Sequence, residues 1–277
     1  MTATGSYLAA RSKRGSWLVR MEDLDQAREV PGAADRILRT LELFGFEWDG
    51  TVVRQSTRTH RYEAALERLQ SQGLVYACSC TRADLARLPQ DRDGEAVYPG
   101  TCRQGARETS LAPALRFLTG LPGRLTAFHD GLQGPFAQDV AAAVGDFIVR
   151  RRDGYFAYQL AVVIDDAEQG ITEVVRGCDL LDNTPRQILL QRALGLPTPA
   201  YAHLPLVTEP DGSKLSKRQR SVPLDPARAP EMLYRTLCEL GQLPPPGLLR
   251  ASVGSLWAWA VENWDTAPLK ELSHVAV

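Results

Sequence analysis

The chain has 277 residues, 44% of them hydrophobic and 23% charged, with a net charge of −1. That balance fits a soluble globular protein of one large domain or two small ones. No apolar run reaches the ~18 residues of a membrane span, and no global positive field announces a nucleic-acid binder, so any RNA contact needs local basic patches. Residues 1–14 lack the apolar core and small-residue cleavage site of a signal peptide. Five cysteines, an odd number without a secretion signal, argue against a disulfide framework. A cytoplasmic protein that needs no membrane is expected, with a monomer as its state.

In chain order, residues 6–14 read as the tail of a helix stopped at Gly15. Residues 17–21 form a short strand ending in a polar burst, Glu22, Asp23 and Asp25. Pro31 opens a helix with Ile37, Leu38, Leu41 and Phe44 at helical spacing. Ser56 is placed as the cap of a second helix running to about residue 72. Residues 75–80 read as a strand, and the stretch to residue 103 is loop-rich. Residues 147–150 and 155–156 flank Arg152-Asp153-Gly154, a hairpin signal. In this strand-like middle an apolar run, 160–164, stops at Asp165-Asp166.

Residues 171–175 form a strand that delivers Arg176 and Gly177. Asn183 or Thr184 caps a helix with Pro185 in its first turn, ending near Gly195. Residues 203–207 are a strand, followed by the turn Pro210-Asp211-Gly212. From Asp225 the pattern is helical, broken at Pro244, Pro245 and Pro246. Strands alternating with helices imply an α/β sheet, whose ligands bind at the carboxyl ends of strands. Glu22, Asp165, Arg176 and the loop after Val207 are expected there.

Four constellations can carry chemistry. Lys214-Leu215-Ser216-Lys217-Arg218 follows a glycine turn. Two ammonium groups beside a hydroxyl on a closing loop suit a triphosphate whose pyrophosphate departs, although a short basic run is more often a solvated loop. Glu22, at a strand end, can bind an ammonium group, against the bland reading of an acidic turn. Tyr158 and Arg176 offer a hydroxyl and a guanidinium fork for a carboxylate, while the apolar residues between them are core. Cys78, Cys80 and Cys102 suit zinc, and a structural site wants a fourth ligand. Tyr98, Asp93, Glu95 and His129 are the nearby candidates, and donor chemistry favours a histidine or carboxylate over a phenol. The basic run Arg150-Arg151-Arg152 could touch an RNA backbone or simply be a solvated face. Cys178 and Cys238 read as small apolar residues.

The lysine pentapeptide resembles the signature loop of class I aminoacyl-tRNA synthetases, in the K-L-S-K form of glutamate enzymes. Arg20-Met21-Glu22-Asp23-Leu24-Asp25 resembles the R-x-E-D-x-D segment of glutamyl-tRNA synthetases. The Cys-x-Cys, Tyr-x-x-x-Cys spacing resembles the zinc site of the glutamyl-queuosine tRNA(Asp) synthetase family. These segments stand in family order over residues 17–218. The resemblance implies a Rossmann-like class I catalytic domain: residues 1–75 its first part, 76–145 a zinc-containing insertion, 146–222 the remainder with the lysine loop, and 223–277 a short helical region without an anticodon-binding domain.

It further implies that ATP, with magnesium, activates glutamate, and that the glutamyl group passes to queuosine in the tRNA(Asp) anticodon. Lys214, Ser216 and Lys217 would hold ATP, with Lys217 catalytic in stabilising pyrophosphate. Glu22, Tyr158 and Arg176 would hold glutamate. Cys78, Cys80, Tyr98 and Cys102 would hold one structural zinc.

Members of the family begin with an extra strand and a His-x-Gly signature ahead of the first helix. Here residues 1–5 match the helix just after that signature, and none of His60, His129, His203 and His274 takes its place. The expectation is that the first strand and part of the ATP site are missing, and that the chain as it stands activates glutamate poorly or not at all. A late-assigned start is preferred over a genuine shortening, because the downstream motifs are intact. The rival expectations are a glutamyl-tRNA synthetase fragment and a non-catalytic tRNA-binding scaffold.

Overall fold

The computed structural model describes residues 1–90, 94, 96–106, 112–208 and 224–276. The loop 214–218, with Lys214, Ser216 and Lys217, lies outside them, as do Asp93 and Glu95.

Helix α1 (Thr2–Arg11) buries Thr4, Gly5, Tyr7, Leu8 and Ala9 on one face. A Cβ at Gly5 would lie 2.5 Å from a Leu204 methyl of the sheet beneath, so glycine lets the helix approach without moving that leucine. β1 (Arg20–Met21) follows and pairs in parallel with β2 (Val53–Arg54). Between them runs α2 (Ala33–Leu43), which starts after Gly32 in the left-handed region rather than at Pro31. α3 (Thr59–Ser71) begins later than expected, after a turn of 3-10 helix at Gln55–Thr57. Ser56 does not cap it. Its backbone N–H and its hydroxyl both donate to Asp23, at 2.9 and 2.7 Å, so it fastens the loop after β1 instead.

β3 (Val75–Cys78) leads to the short helix α4 (Arg82–Leu85), opened by a capping box between Thr81 and Asp84. β4 (Ala114–Phe117) pairs antiparallel with β3 on one side. β5 (Thr126–Asp130) and β6 (Gly134–Gln138) form a hairpin. After α5 (Val140–Ala143), β7 (Ile148–Arg150) pairs antiparallel with the other side of β4, completing a β3-β4-β7 sheet. The expected hairpin at Arg152-Asp153-Gly154 is present as an Arg150–Phe156 bridge.

α6 (Tyr158–Glu168) occupies the apolar run that reads as part of a strand-like stretch. Every residue from Gln159 to Asp166 is buried. A helix enclosed on all sides carries no polar stripe, so its period is invisible in the sequence. β8 (Glu173–Gly177) then leads through a 3-10 turn to α7 (Thr184–Leu194), which has Asn183 at its N-cap, proline in its first turn and Gly195 in the left-handed conformation at its end, as the sequence implies. β9 (Ala200–Leu204) lies between β8 and β5 and runs parallel to both. The sheet order is β6-β5-β9-β8, a mixed α/β layer with a parallel core.

β10 (Leu206–Thr208), α8 (Ala229–Glu239), α9 (Val253–Glu262) and β11 (His274–Ala276) complete the chain, with β10 and β11 paired in parallel. One core cluster gathers α3, α6 and α7 around Tyr62, Leu66, Phe147 and Leu160. A second joins the C-terminal helices to α1 through aromatic rings. Tyr7 meets Trp17 edge-on at 5.3 Å and Trp257 at 4.6 Å, and Phe46 meets Trp257 at 4.9 Å. The Trp257 indole also donates to the Phe44 carbonyl at 2.9 Å.

Because that ring is enclosed and its N–H is used, Trp257→Ala is expected to cost about 3–5 kcal/mol of unfolding free energy in a denaturant titration. The half-buried Trp259→Ala is expected to cost clearly less.

Candidate active site

The site begins where β1 ends. Arg20 sends its guanidinium to Asp166 on α6 (2.8 Å) and to Gln169 just past its end (2.9 Å), with Glu22 at 3.3 Å. Glu22 is thereby turned toward α6. Burial raises its carboxyl above the usual range, and Arg20 only partly offsets that. Asp165, expected among the site groups, turns the other way. It is fully buried and accepts from Arg58 (2.6 Å), Tyr62 (2.7 Å) and Gln55 (2.8 Å), so it ties α6 to α3.

Tyr158 opens α6 and Arg176 stands near the end of β8, and the fold brings them together: Arg176 Nη1 donates to Tyr158 Oη at 3.3 Å. Arg176 Nη2 donates to Thr184 Oγ1 at 2.7 Å and to the Leu180 carbonyl at 3.4 Å. Its Nε donates to His203 Nε2 at 3.0 Å. Four of the five guanidinium donors are thus engaged, leaving one N–H on Nη1. Since Tyr158 Oη accepts from Arg176, its own hydrogen is free to donate. An N–H and an O–H side by side suit a carboxylate.

Asp130, at the end of β5, and His203, on β9, stand behind Arg176. Both are fully buried. His203 Nδ1 is 2.5 Å from Asp130 Oδ2, and Asp130 Oδ1 accepts from the backbone N–H of Leu132, Gln133 and His203. Burial pushes the Asp130 carboxyl up, but these bonds outweigh it and hold it below the ordinary range. In the sequence His203 reads only as the start of a strand, and Asp130 carries no signal of its own. The register that pairs Arg176 with His203 is a tertiary fact with no local signal.

A cavity of about 740 Å³ opens beside this cluster, lined by Glu22, Tyr158, Gln159, Asn183, Arg186 and Arg151 among others. Glu22 and Tyr158 therefore share one wall-lined space, with Arg176 held against the tyrosine hydroxyl.

On the far side lies the cysteine cluster. The Sγ atoms of Cys78, Cys80 and Cys102 lie within 4.8 Å of one another, and Cys80 and Cys102 are 3.7 Å apart. Two thiolates at ~2.3 Å from one tetrahedral ion stand about 3.8 Å apart, so the spacing suits a metal. Tyr98 is fully buried, with its Oη 3.3 Å from Cys78 Sγ and 3.4 Å from Cys80 Sγ. The Cys102 backbone N–H donates to the same oxygen at 3.0 Å. Burial raises the Cys102 thiol, but bonds from Tyr98 and Ser79 outweigh it and bring it to about 7, favouring the thiolate a metal binds. His129, the alternative ligand, is exposed on β5 and outside the cluster. Among the described residues the phenol is the fourth donor within reach, against what donor chemistry alone favours; Asp93 and Glu95 lie outside them.

The cluster is clamped to its sheet. Asp146 accepts from Arg103 (2.6 and 2.8 Å), Tyr76 (2.5 Å) and Thr119 (2.9 Å). Gly145, in the left-handed region, lies so close to the Tyr98 carbonyl that any side chain would collide with it. The basic run is not a free face. Arg150 pairs with Glu63, Arg151 with Asp25 and Asp153, and Arg152 donates to the Cys80 carbonyl at 3.0 Å.

Comparison with known proteins agrees with this architecture. The sequence matches the catalytic-domain model of class I tRNA synthetases (E and Q) over residues 1–241, which defines the class of protein. It is 53% identical over 266 residues to the glutamyl-Q tRNA(Asp) synthetase of Ectopseudomonas mendocina, covering 96% of this chain and 87% of that one. It is 53% identical over 268 residues to the protein of that name from Aromatoleum aromaticum, covering 96% and 83%. The chain belongs to the glutamyl-Q tRNA(Asp) synthetase family. Among solved structures, the glutamate-tRNA synthetase of Elizabethkingia anophelis superimposes with a TM-score of 0.78 at 25% identity, covering all of this chain but only 64% of that one.

Burial pushes Asp146 up, but its bonds to Arg103, Tyr76 and Thr119 outweigh this and depress its carboxyl, so its stabilising contribution is complete above the ordinary carboxylate value of ~4 and is lost as pH falls through the lowered one. Asp146→Asn is expected to cost on the order of 3 kcal/mol at pH 7. Urea titrations from pH 7 to pH 3 should show a shallower acid loss for the variant than for the natural chain.

Proposed function

We propose that the chain activates glutamate with ATP and transfers the glutamyl group to queuosine in tRNA(Asp), in the cytoplasm. The observation that carries this reading is the pairing of Arg176 with Tyr158 beside a cavity that Glu22 also lines. A guanidinium N–H and a phenolic O–H suit a carboxylate of the substrate, and the Glu22 carboxylate suits its ammonium group. Family membership and the names of the relatives supply the rest.

In the proposed reaction an α-carboxylate oxygen of glutamate attacks the α-phosphorus of ATP, supplied with magnesium, and the bond to pyrophosphate breaks. Lys214, Ser216 and Lys217 hold the nucleotide, and Lys217 balances the charge that grows on the leaving group. A queuosine hydroxyl then attacks the glutamyl carbonyl and AMP leaves. Both steps are displacements governed by position and charge, so no side-chain nucleophile is required. The cavity offers room beyond glutamate for an acceptor nucleoside.

The cysteine cluster is proposed to hold one structural zinc through Cys78, Cys80, Cys102 and Tyr98. Bound there, the ion would cross-link β3 to the loop before β4. One zinc per chain is expected by elemental analysis, and Cys80→Ser is expected to lose it and to melt at lower temperature. A metal-free natural chain with an unchanged melting point would overturn the assignment.

Calorimetric titration with glutamate tests the substrate site. Arg176→Lys, which replaces a fork by a point charge, should weaken binding about tenfold or more; it also leaves the buried His203, Thr184 and Leu180 acceptors short of donors, so its melting temperature should fall and the titration is run well below it. Equal affinity would sink the proposed role. Labelled glutamate should pass to tRNA(Asp) carrying queuosine and not to the same tRNA lacking it; charging of tRNA(Glu) instead would identify a glutamyl-tRNA synthetase activity.

A further inference from the structure

Arg176 is held by more than its substrate-facing partners, and the way it is held has a chemical direction. An arginine Nε–H is a donor in every protonation state found in proteins. It points at His203 Nε2, 3.0 Å away, so that nitrogen must carry a lone pair. The Thr184 hydroxyl, 3.3 Å from the same nitrogen, is placed to donate to it as well. The imidazole proton therefore sits on Nδ1, facing Asp130 Oδ2 at 2.5 Å. The close His203–Asp130 contact is a hydrogen bond from a neutral ring to a carboxylate. Asp130 cannot turn away, because its other oxygen is fixed by three backbone N–H groups.

We infer that Asp130 and His203 are positioning residues for glutamate recognition. Asp130 selects the His203 tautomer, and the selected tautomer presents a lone pair that fixes the plane of the Arg176 guanidinium, so that Nη1 faces Tyr158. This rests on the proposal that Arg176 binds glutamate. The three groups come from three adjacent strands, β5, β9 and β8, and form a chain in which each partner sets the orientation of the next. The Tyr201 ring, stacked at 6.3 Å from the imidazole and 5.5 Å from the Arg176 guanidinium carbon, closes the side of the chain.

The alternative tautomer would set a ring N–H against the arginine Nε–H, two donors facing each other in a dry interior. That arrangement leaves both unsatisfied and turns the guanidinium out of plane. Replacement of an orienting aspartate by asparagine is known to allow the wrong histidine tautomer while the geometry stays intact. Asp130→Asn would do the same here, since the amide NH2 can donate to Nδ1.

Two measurements test the inference. The first uses nitrogen-15 imidazole spectra of the full chain at pH 7, with the His203 signals assigned by their loss in His203→Gln. A neutral ring protonated on Nδ1 is expected; a ring protonated on Nε2, or on both nitrogens, would overturn the inference whether or not glutamate binds. The second is calorimetric titration with glutamate, alongside thermal melting. Glutamine carries its carbonyl oxygen near the place of Nε2, whereas asparagine ends near Nδ1. His203→Gln should therefore bind within about threefold of the natural chain, while His203→Asn and Asp130→Asn should weaken binding roughly tenfold or more.

A purely structural role would lower the melting point of the Gln and Asn variants alike without separating their affinities, and that result would also overturn the inference. Absence of glutamate binding by the natural chain would instead refute the substrate assignment, and the tautomer measurement would still decide the chain from Asp130 to Arg176.

Discussion

Asp165 and Asp166 are consecutive residues of a helix, so their side chains leave its axis about 100° apart. Both are buried, and a buried carboxylate persists only where cations or donors meet it. Asp165 takes Arg58, Tyr62 and Gln55 from the α3 side, and Asp166 takes Arg20 from β1. Those partners leave α6 one rotation about its axis in which both acids are matched. Tyr158 sits at the first turn of the same helix, seven and eight residues before the pair, on a spacing close to two turns. The place of the tyrosine hydroxyl, and with it the approach of Arg176, follows from that rotation.

The cysteine cluster and the proposed glutamate site are joined by the same kind of constraint. Arg151 binds Asp25 in the loop after Glu22, and its neighbour Arg152 binds the carbonyl of Cys80. One basic run thus spans from the acidic loop to the cysteine cluster. Arg116 lies over the Tyr98 ring at 3.8 Å and donates to the Asp146 carbonyl, so the phenol is held from behind by a cation while its oxygen meets sulfur. These arginines act as internal struts, each tied to a neighbouring segment of the chain.

What could be read in the sequence was local. The cap, proline and terminal glycine of α7 mark that helix because their chemistry is exercised within a few residues. The closeness of Cys78 and Cys80 is similarly legible, being two residues apart, and the fold brings Cys102 to them as expected from the sequence. The helical nature of α6 was not legible, because burial on every side removes the polar stripe that would betray its period. Ser56 misled for a related reason: a cap serine and a serine bound to Asp23, 33 positions away, look alike in one dimension. Asp130 and His203 are invisible for the same cause, being joined only through strand register.

The reliance on arginine at position 176 follows from counting donors. Lysine offers three hydrogens from one nitrogen, which cannot reach His203, Thr184, Leu180 and Tyr158 in four directions at once. The guanidinium does so while remaining planar, and each bond removes one way for it to turn. What remains is a single N–H on the edge beside the Tyr158 hydroxyl. A charge whose other donors are all engaged inside the protein can discriminate by geometry, because a ligand must bring its acceptor to that one hydrogen rather than the reverse. The cost of burying the cation is met by neutral acceptors, a histidine lone pair, a hydroxyl and a carbonyl, none of which cancels its charge. These bonds leave its charge uncancelled, and Asp130, the nearest negative group in the chain of bonds, is kept one imidazole away from it.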